Sequence, residues 1–133
     1  MVDEQYKYSN ITSKIIGCAI EVHKVLGAGF QELIYQRALA KEMILQGVNF
    51  QREPEISIYY KEEMIGTRRI DFLVENKISV ELKAIKALEE VHLTQAINYL
   101  EAYNLEIGLL VNFGTKSLEF KRLINNKLYK SEK

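Results

Sequence analysis

Apolar residues recur along this chain with two periods, and the switches between them mark its elements. Ile11, Ile15, Ala19, Val22 and Leu26 fall on one face of a helix, for which Asn10 or Thr12 offers a cap. Gly27-Ala28-Gly29 stops that helix, because two glycines so close favour a turn. A second helical pattern runs from about Gln31 to Gln46 and ends at Gly47, placed as a C′ glycine. The period then shortens to that of a strand. Between Phe50 and Tyr60 the residues Ile56, Ile58 and Tyr60 alternate with polar neighbours, and Pro54 makes the early part of this run an edge or an irregularity. Lys61-Glu62-Glu63 reads as a turn. Two more alternating runs follow, Arg69–Glu75 and Lys77–Lys83. The helical period returns from about Leu88 to Tyr103. Ile107–Phe113 is a continuous apolar run of the kind that forms a strand buried on both faces, stopped by Gly114. Ser117–Ile124 reads as a last strand or a short helix. The order αα-βββ-α-β predicts one α/β domain over residues 1–133, with a central mixed β-sheet flanked by helices and a right-handed β-α-β passage through the third helix. Residues 1–9 and 126–133 are polar and are expected to fray.

The charges on the two middle strands change this picture. Ile70, Phe72 and Val74 share one strand face and leave Asp71 on the other; Ile78, Val80 and Leu82 share one face and leave Ser79, Glu81 and Lys83 on the other. Unpaired charge on a buried sheet face is costly, and packing alone gives no reason to gather two carboxylates and an ammonium there. A divalent cation gives one. The register tests the idea. Residues directly opposite in an antiparallel pair project to the same side, with Cβ atoms roughly 5 Å apart. Asp71 faces Glu81 only if the connecting loop is centred on Asn76, with Glu75 and Lys77 beside it, or if a bulge has the same effect. A two-residue turn at Asn76-Lys77 pairs Asp71 with Leu82 instead and splits the charges. We expect the odd-length loop.

Composition narrows the function classes. The 133 residues are 47% apolar, which suits one compact domain and excludes a disordered chain. Basic and acidic residues balance at 18 each, so no overall field favours nucleic acid and any such contact must rest on local clusters. The single cysteine, Cys18, excludes an internal disulfide and reads as a buried small hydrophobe. No apolar run approaches the ~20 residues needed to span a bilayer, and the polar start of the chain shows no signal peptide. The expectation is a cytoplasmic protein without a membrane partner.

The arrangement Asp71…Glu81-Leu82-Lys83 resembles the core of the PD-(D/E)xK phosphodiesterase superfamily, with Ile70 in place of the proline of its name. The predicted element order is similar to that of its restriction-endonuclease-like core. Gly29-Phe30-Gln31-Glu32-Leu33-Ile34-Tyr35 resembles the signature of the bacterial and archaeal GxxExxY proteins. Gln95-Ala96-Ile97-Asn98-Tyr99 is similar to the QxxxY pattern of the superfamily's recombination exonucleases. The resemblance spans about Ile11 to Arg122. It implies a Mg²⁺- or Mn²⁺-dependent nuclease acting on DNA, less readily on RNA. Asp71 and Glu81 would be the chief metal ligands, as hard cations prefer, and the resemblance adds the Leu82 backbone carbonyl. Lys83 would orient the attacking water and stabilise developing charge. Glu32 is carried over as a ligand, directly or through water. Gln95 would bond a ligand group or the substrate phosphate, and Tyr99 would stack or bond near the scissile strand.

Each residue also has an ordinary reading. Asp71, Glu81 and Lys83 can be a solvated strand face laced by cross-strand pairs. Glu32 suits any first helical turn. Tyr35 is better explained by packing against the sheet than by chemistry. His92, Gln95 and Tyr99 form a polar stripe beside Leu93, Ala96, Ile97 and Leu100, as on a site-facing or merely part-exposed helix. Arg68, Arg69 and Lys86 lie near the expected site and either contact phosphates or are solvated charge; His92 either touches a substrate phosphate or is a surface or structural histidine, and Tyr59, Tyr60, Tyr99 and Tyr103 either stack on bases or serve the core. The rival to a nuclease is a binding or adaptor module on the same fold. A homodimer is plausible by symmetry preference alone.

Overall fold

The computed structural model describes residues 7–128. Ten elements follow one another: α1 Ser9–Leu26, α2 Glu32–Leu45, β1 Phe50–Arg52, β2 Glu55–Tyr60, β3 Glu63–Arg69, β4 Phe72–Val74, β5 Ile78–Lys83, α3 Glu90–Ala102, β6 Ile107–Asn112 and β7 Glu119–Ile124. Five strands make the main sheet in the order β1-β4-β5-β6-β7, while β2 and β3 pair only with each other. Within the sheet β5 and β6 run parallel and the other neighbours are antiparallel. The expected αα-βββ-α-β order is thus present in the main sheet, as α1, α2, β1, β4, β5, α3 and β6. The β2–β3 hairpin is inserted between β1 and β4, and the ambiguous segment before Ile124 is a strand.

Two apolar layers hold the sheet. One face of the inner strands, with Phe72, Val74, Ile78, Val80, Leu82, Ile107, Leu109 and Val111, packs against Ile15, Ala19, Tyr35, Leu39 and Met43 of α1 and α2. The opposite face packs Leu110 and Leu123 against Ala96 and Leu100 of α3. All six residues of β6 are buried, as its unbroken apolar run requires. Cys18 is buried in the α1–α2 layer.

Three sequence expectations change. The strand expected from Phe50 to Tyr60 is two strands, because Glu53 adopts a left-handed conformation (φ 53°) and Pro54 brings no N–H to a ladder. Arg69 is not on the Asp71 strand: it ends β3 opposite Glu55, and the chain bends at Ile70–Asp71 to enter the main sheet. Neither Asn10 nor Thr12 caps α1; the N-cap is Tyr8, in a left-handed conformation, and Thr12 is buried with its hydroxyl donating to Ser9 O at 3.3 Å. Of the tails, residues 1–6 and 129–133 lie outside the described residues. Lys7 meets Glu106 at 2.9 Å, and Lys127 lies 3.4 Å from Glu101.

Candidate active site

The β4–β5 hairpin sets the site. Its pairs are Phe72↔Val80, Leu73↔Ser79 and Val74↔Ile78, so the loop comprises residues 75–77 and is odd in length. Glu75 and Asn76 both take left-handed backbone (φ 54° and 56°), and Lys77 N–H donates to Val74 O at 2.9 Å. One step beyond the last pair, Asp71 stands opposite Glu81. There side chains replace the backbone ladder. Asp71 N–H donates to Glu81 Oε1 at 2.9 Å, and Leu82 N–H donates to Asp71 Oδ2 at 2.8 Å. In an extended strand a residue's N–H and C=O point to the same edge, so the Leu82 carbonyl faces the space that Asp71 occupies.

Helix α2 closes this end of the sheet. Gln36, buried at 5% exposure, donates from Nε2 to Asp71 Oδ1 at 2.7 Å, and its Oε1 accepts from Arg52 Nε at 2.9 Å. Sequence reading missed Gln36. Its signal was a polar residue on the buried stripe that also carries Leu39, Ala40 and Met43. Ahead of it, Tyr35 is fully buried, its ring stacked on Phe113 at 4.6 Å between centroids. Its hydroxyl donates to Gly27 O at 2.5 Å and accepts from Phe30 N–H at 3.2 Å. Gly29 between them has φ 113°, open to glycine alone among the common residues. Gly29 and Tyr35 therefore shape the loop that delivers Glu32, at the start of α2, toward Lys83 and Asp71.

The electrostatics record an acidic surplus. Burial pushes the Glu81 carboxyl up to about 8, and the Asp71 charge pushes the same way; the Asp71 N–H and Lys83 pull it down, and Glu32 adds to the rise. Asp71 is also raised by burial, against the Leu82 N–H, Gln36 and Lys83, with Glu53 opposing them. Glu32 is raised by burial, eased by Lys83 and reinforced by Asp71. Among the described residues no three His, Cys, Asp or Glu side chains close into a ready-made cage. Two carboxylates and a carbonyl suit a hard cation that keeps several waters.

The residues expected to touch substrate divide. Arg68, Gln95 and Tyr99 line one cleft of about 450 Å³ between the β2–β3 hairpin and α3, with Thr67 and Asn98. Asp71, Glu81 and Lys83 are not among its walls. Tyr103 joins the two regions: its hydroxyl accepts from Ile70 N–H at 3.3 Å and donates to the Pro54 carbonyl. The sequence offered Tyr103 only as one of four tyrosines able to stack on bases, and no motif pointed to this tie. His92 is tied to the start of its own helix. Its Nδ1 accepts from Glu89 N–H at 2.9 Å, the Glu89 carboxylate accepts from the His92 backbone N–H, and together they cap α3. Arg69 pairs with Glu55 on the exposed hairpin, and Lys86 is exposed in the loop after β5.

Residues 9–123 match the sequence profile of the PD-(D/E)XK nuclease superfamily. The crystal structure of SSO0001 superposes with a TM-score of 0.50 at 18% identity, over 86% of this chain and 65% of that one. The chain thus spans about two thirds of that protein, and the likeness concerns the fold: a five-stranded mixed sheet flanked by helices, of restriction-endonuclease-like architecture. No curated protein matches the sequence.

Proposed function

This chain belongs to the PD-(D/E)XK nuclease superfamily, and we propose that it is a metal-dependent nuclease of the GxxExxY group that hydrolyses phosphodiester bonds in DNA in preference to RNA. One observation carries the reading. Asp71 and Glu81 are locked together by reciprocal bonds to each other's strand, and burial plus mutual repulsion holds the Glu81 carboxyl up to about 8. A negative surplus set in oxygen donors fits a hard divalent cation.

Asp71, Glu81 and the Leu82 carbonyl would hold Mg²⁺ or Mn²⁺, which when bound would polarise the phosphate and lower the pKa of water. The chain's own groups do the rest. Gln36 and the Leu82 N–H hold the Asp71 carboxylate at a fixed rotation. Lys83 lies on the same strand face as Glu81, two residues on, where its ammonium orients the attacking water and meets charge developing on the phosphate. Glu32 accepts a hydrogen bond from water at the rim. The cleft beside α3 takes the nucleic-acid strand: Tyr99 offers a ring to a base, Gln95 an amide to a phosphate or base edge, and Arg68 a cation to the backbone. Arg69 and Lys86, both exposed, extend that contact.

The test is cleavage of labelled single-stranded, duplex and branched DNA, and of RNA, in Mg²⁺, Mn²⁺ or EDTA. Asp71→Asn, Glu81→Gln and Lys83→Met should each lower kcat at least ~100-fold, the usual scale for removing one such group, with melting intact. A wild type silent on every substrate, and giving no heat on Mn²⁺ titration, would point to the binding module instead.

A further inference from the structure

Asp71 is held on both oxygens, and the holder on Oδ1 is itself held. Gln36 Nε2 donates to Oδ1 at 2.7 Å, and Gln36 Oε1 accepts from Arg52 Nε at 2.9 Å. A glutamine amide can present either end to a neighbour, but a guanidinium has only donors. Arg52 therefore fixes which end of Gln36 faces it, and leaves the NH₂ end for Asp71. The three residues come from α2, β1 and the bend just before β4, so they form one lateral tie across the mouth of the site. We infer that Gln36, steered by Arg52, is a positioning residue for Asp71 that presets its carboxylate for a divalent cation.

Three features favour this role over simple packing. Gln36 is 5% exposed and spends both ends of its amide on this tie, where an apolar residue of the same length would fill the volume. The donor facing Asp71 is neutral. An arginine or lysine in the same place would form an ion pair with Asp71 and compete with an incoming cation, whereas an amide leaves the carboxylate its full charge. Lastly, the two bonds occupy one lone pair on each Asp71 oxygen, from Gln36 and from Leu82 N–H. A carboxylate has about four such sites, so two stay open and their direction is set.

The inference rests on the metal-dependent reading above, and the experiment separates the two. Mn²⁺ is titrated calorimetrically into wild type, Gln36→Met, Arg52→Met, Arg52→Lys and the Gln36→Met/Arg52→Met pair, and cleavage rates are measured across Mn²⁺ concentration. Gln36→Met should weaken Mn²⁺ binding about tenfold or more, the range for losing a group that orients a metal ligand. Arg52→Met should weaken it less, and Arg52→Lys, which keeps a donor, should lie nearer wild type. The double variant should match Gln36→Met within about twofold, since Arg52 acts through the amide. Saturating Mn²⁺ should restore much of the Gln36→Met rate, which a merely structural lesion would not allow. Should Gln36→Met fail to fold, the Arg52 pair carries the test, because Arg52 is an exposed residue. Unchanged Mn²⁺ affinity in folded variants, or additive losses in the double variant, would overturn the positioning role alone. A wild type that binds no Mn²⁺ overturns it together with the metal-dependent reading.

Discussion

Tyr35 shows how one hydroxyl can organise a site without entering it. Its bonds to Gly27 O and Phe30 N–H fasten the turn between α1 and α2, and Glu32 begins two residues beyond Phe30. Tyr35→Phe keeps the ring stack on Phe113 and removes both bonds. We expect a loss of about 1–2 kcal/mol in urea unfolding, the range for a hydrogen bond whose partners stay buried, with Mn²⁺ affinity within about threefold of wild type because Asp71 and Glu81 keep their ties. A variant as stable as wild type would show that the loop is held by packing alone. The residues of the site differ in how far the sequence discloses them. Asp71, Glu81 and Lys83 were legible because strand alternation and the parity of one loop fix their side, and both are local facts. Gln36 was not, and Tyr103 was legible only as an aromatic able to stack on bases, since the role of each is defined by a partner 35 or 33 positions away. His92 was legible only as a polar position. The three-residue spacing from Glu89 that makes it a cap partner was present in the sequence, but a histidine in that place is unusual beside the common Glu or Gln.

Between elements, α3 and the β5–β6 pair approach closely at Gly108. Ser79 faces Gly108 in the parallel register, and a Cβ on Gly108 would stand 2.3 Å from Ser79 Oγ and 2.8 Å from Leu100 Cδ2. Leu100 is fully buried, so it has little room to yield. Gly108→Ala should therefore destabilise the protein by about 1–3 kcal/mol, as overpacking does. Ser79→Gly in the same chain should recover part of that loss by vacating the nearest atom, whereas denaturation midpoints that fail to recover would place the strain on Leu100. The same helix and strands account for what the sequence disclosed at this scale. β6 was legible from an unbroken apolar run, and β4 and β5 from their alternation. The β2–β3 hairpin was only half legible. Most of β3 is exposed on both sides, so no period marks it. Its turn sets Lys61 and Glu62 in left-handed backbone (φ 48° and 71°) without the Asn or Gly that announces such a turn. Even the bend at Ile70–Asp71 is set by non-local contacts, the Tyr103 hydroxyl and the Glu81 carboxylate, which hold the two backbone N–H groups.

Over the whole molecule the charges cancel, 18 against 18, yet the acidic surplus at one end of the sheet ties global stability to pH. The Glu81 carboxyl rises from 4.5 to about 8 in the folded protein. Between those values the native state keeps a proton that the unfolded chain has lost. Unfolding then becomes easier as pH rises, because stability grows with pH only where the unfolded state binds more protons. The raised carboxyls of Asp71 and Glu32 act in the same direction. Metal-free protein should accordingly be most stable toward the acid side of this window and lose stability up to about pH 8, by an amount on the order of a few kcal/mol. A divalent cation takes the ionised form, so its binding must expel the Glu81 proton. Mn²⁺ affinity should then rise up to about tenfold per pH unit across the window and level off above about 8. Saturation at ~100 times the dissociation constant adds about 2.7 kcal/mol, and the gap between melting temperatures in Mn²⁺ and in EDTA should widen from pH 5.5 to pH 8. Calorimetry in two buffers of different ionisation heat should register close to one proton released near pH 6.5, and none in Glu81→Gln. That variant should also flatten the fall of metal-free stability with pH. A metal-free melting temperature that climbs through the window, or a metal-induced gap indifferent to pH, would show that the carboxylates are not the coupled, cation-hungry pair that their geometry describes.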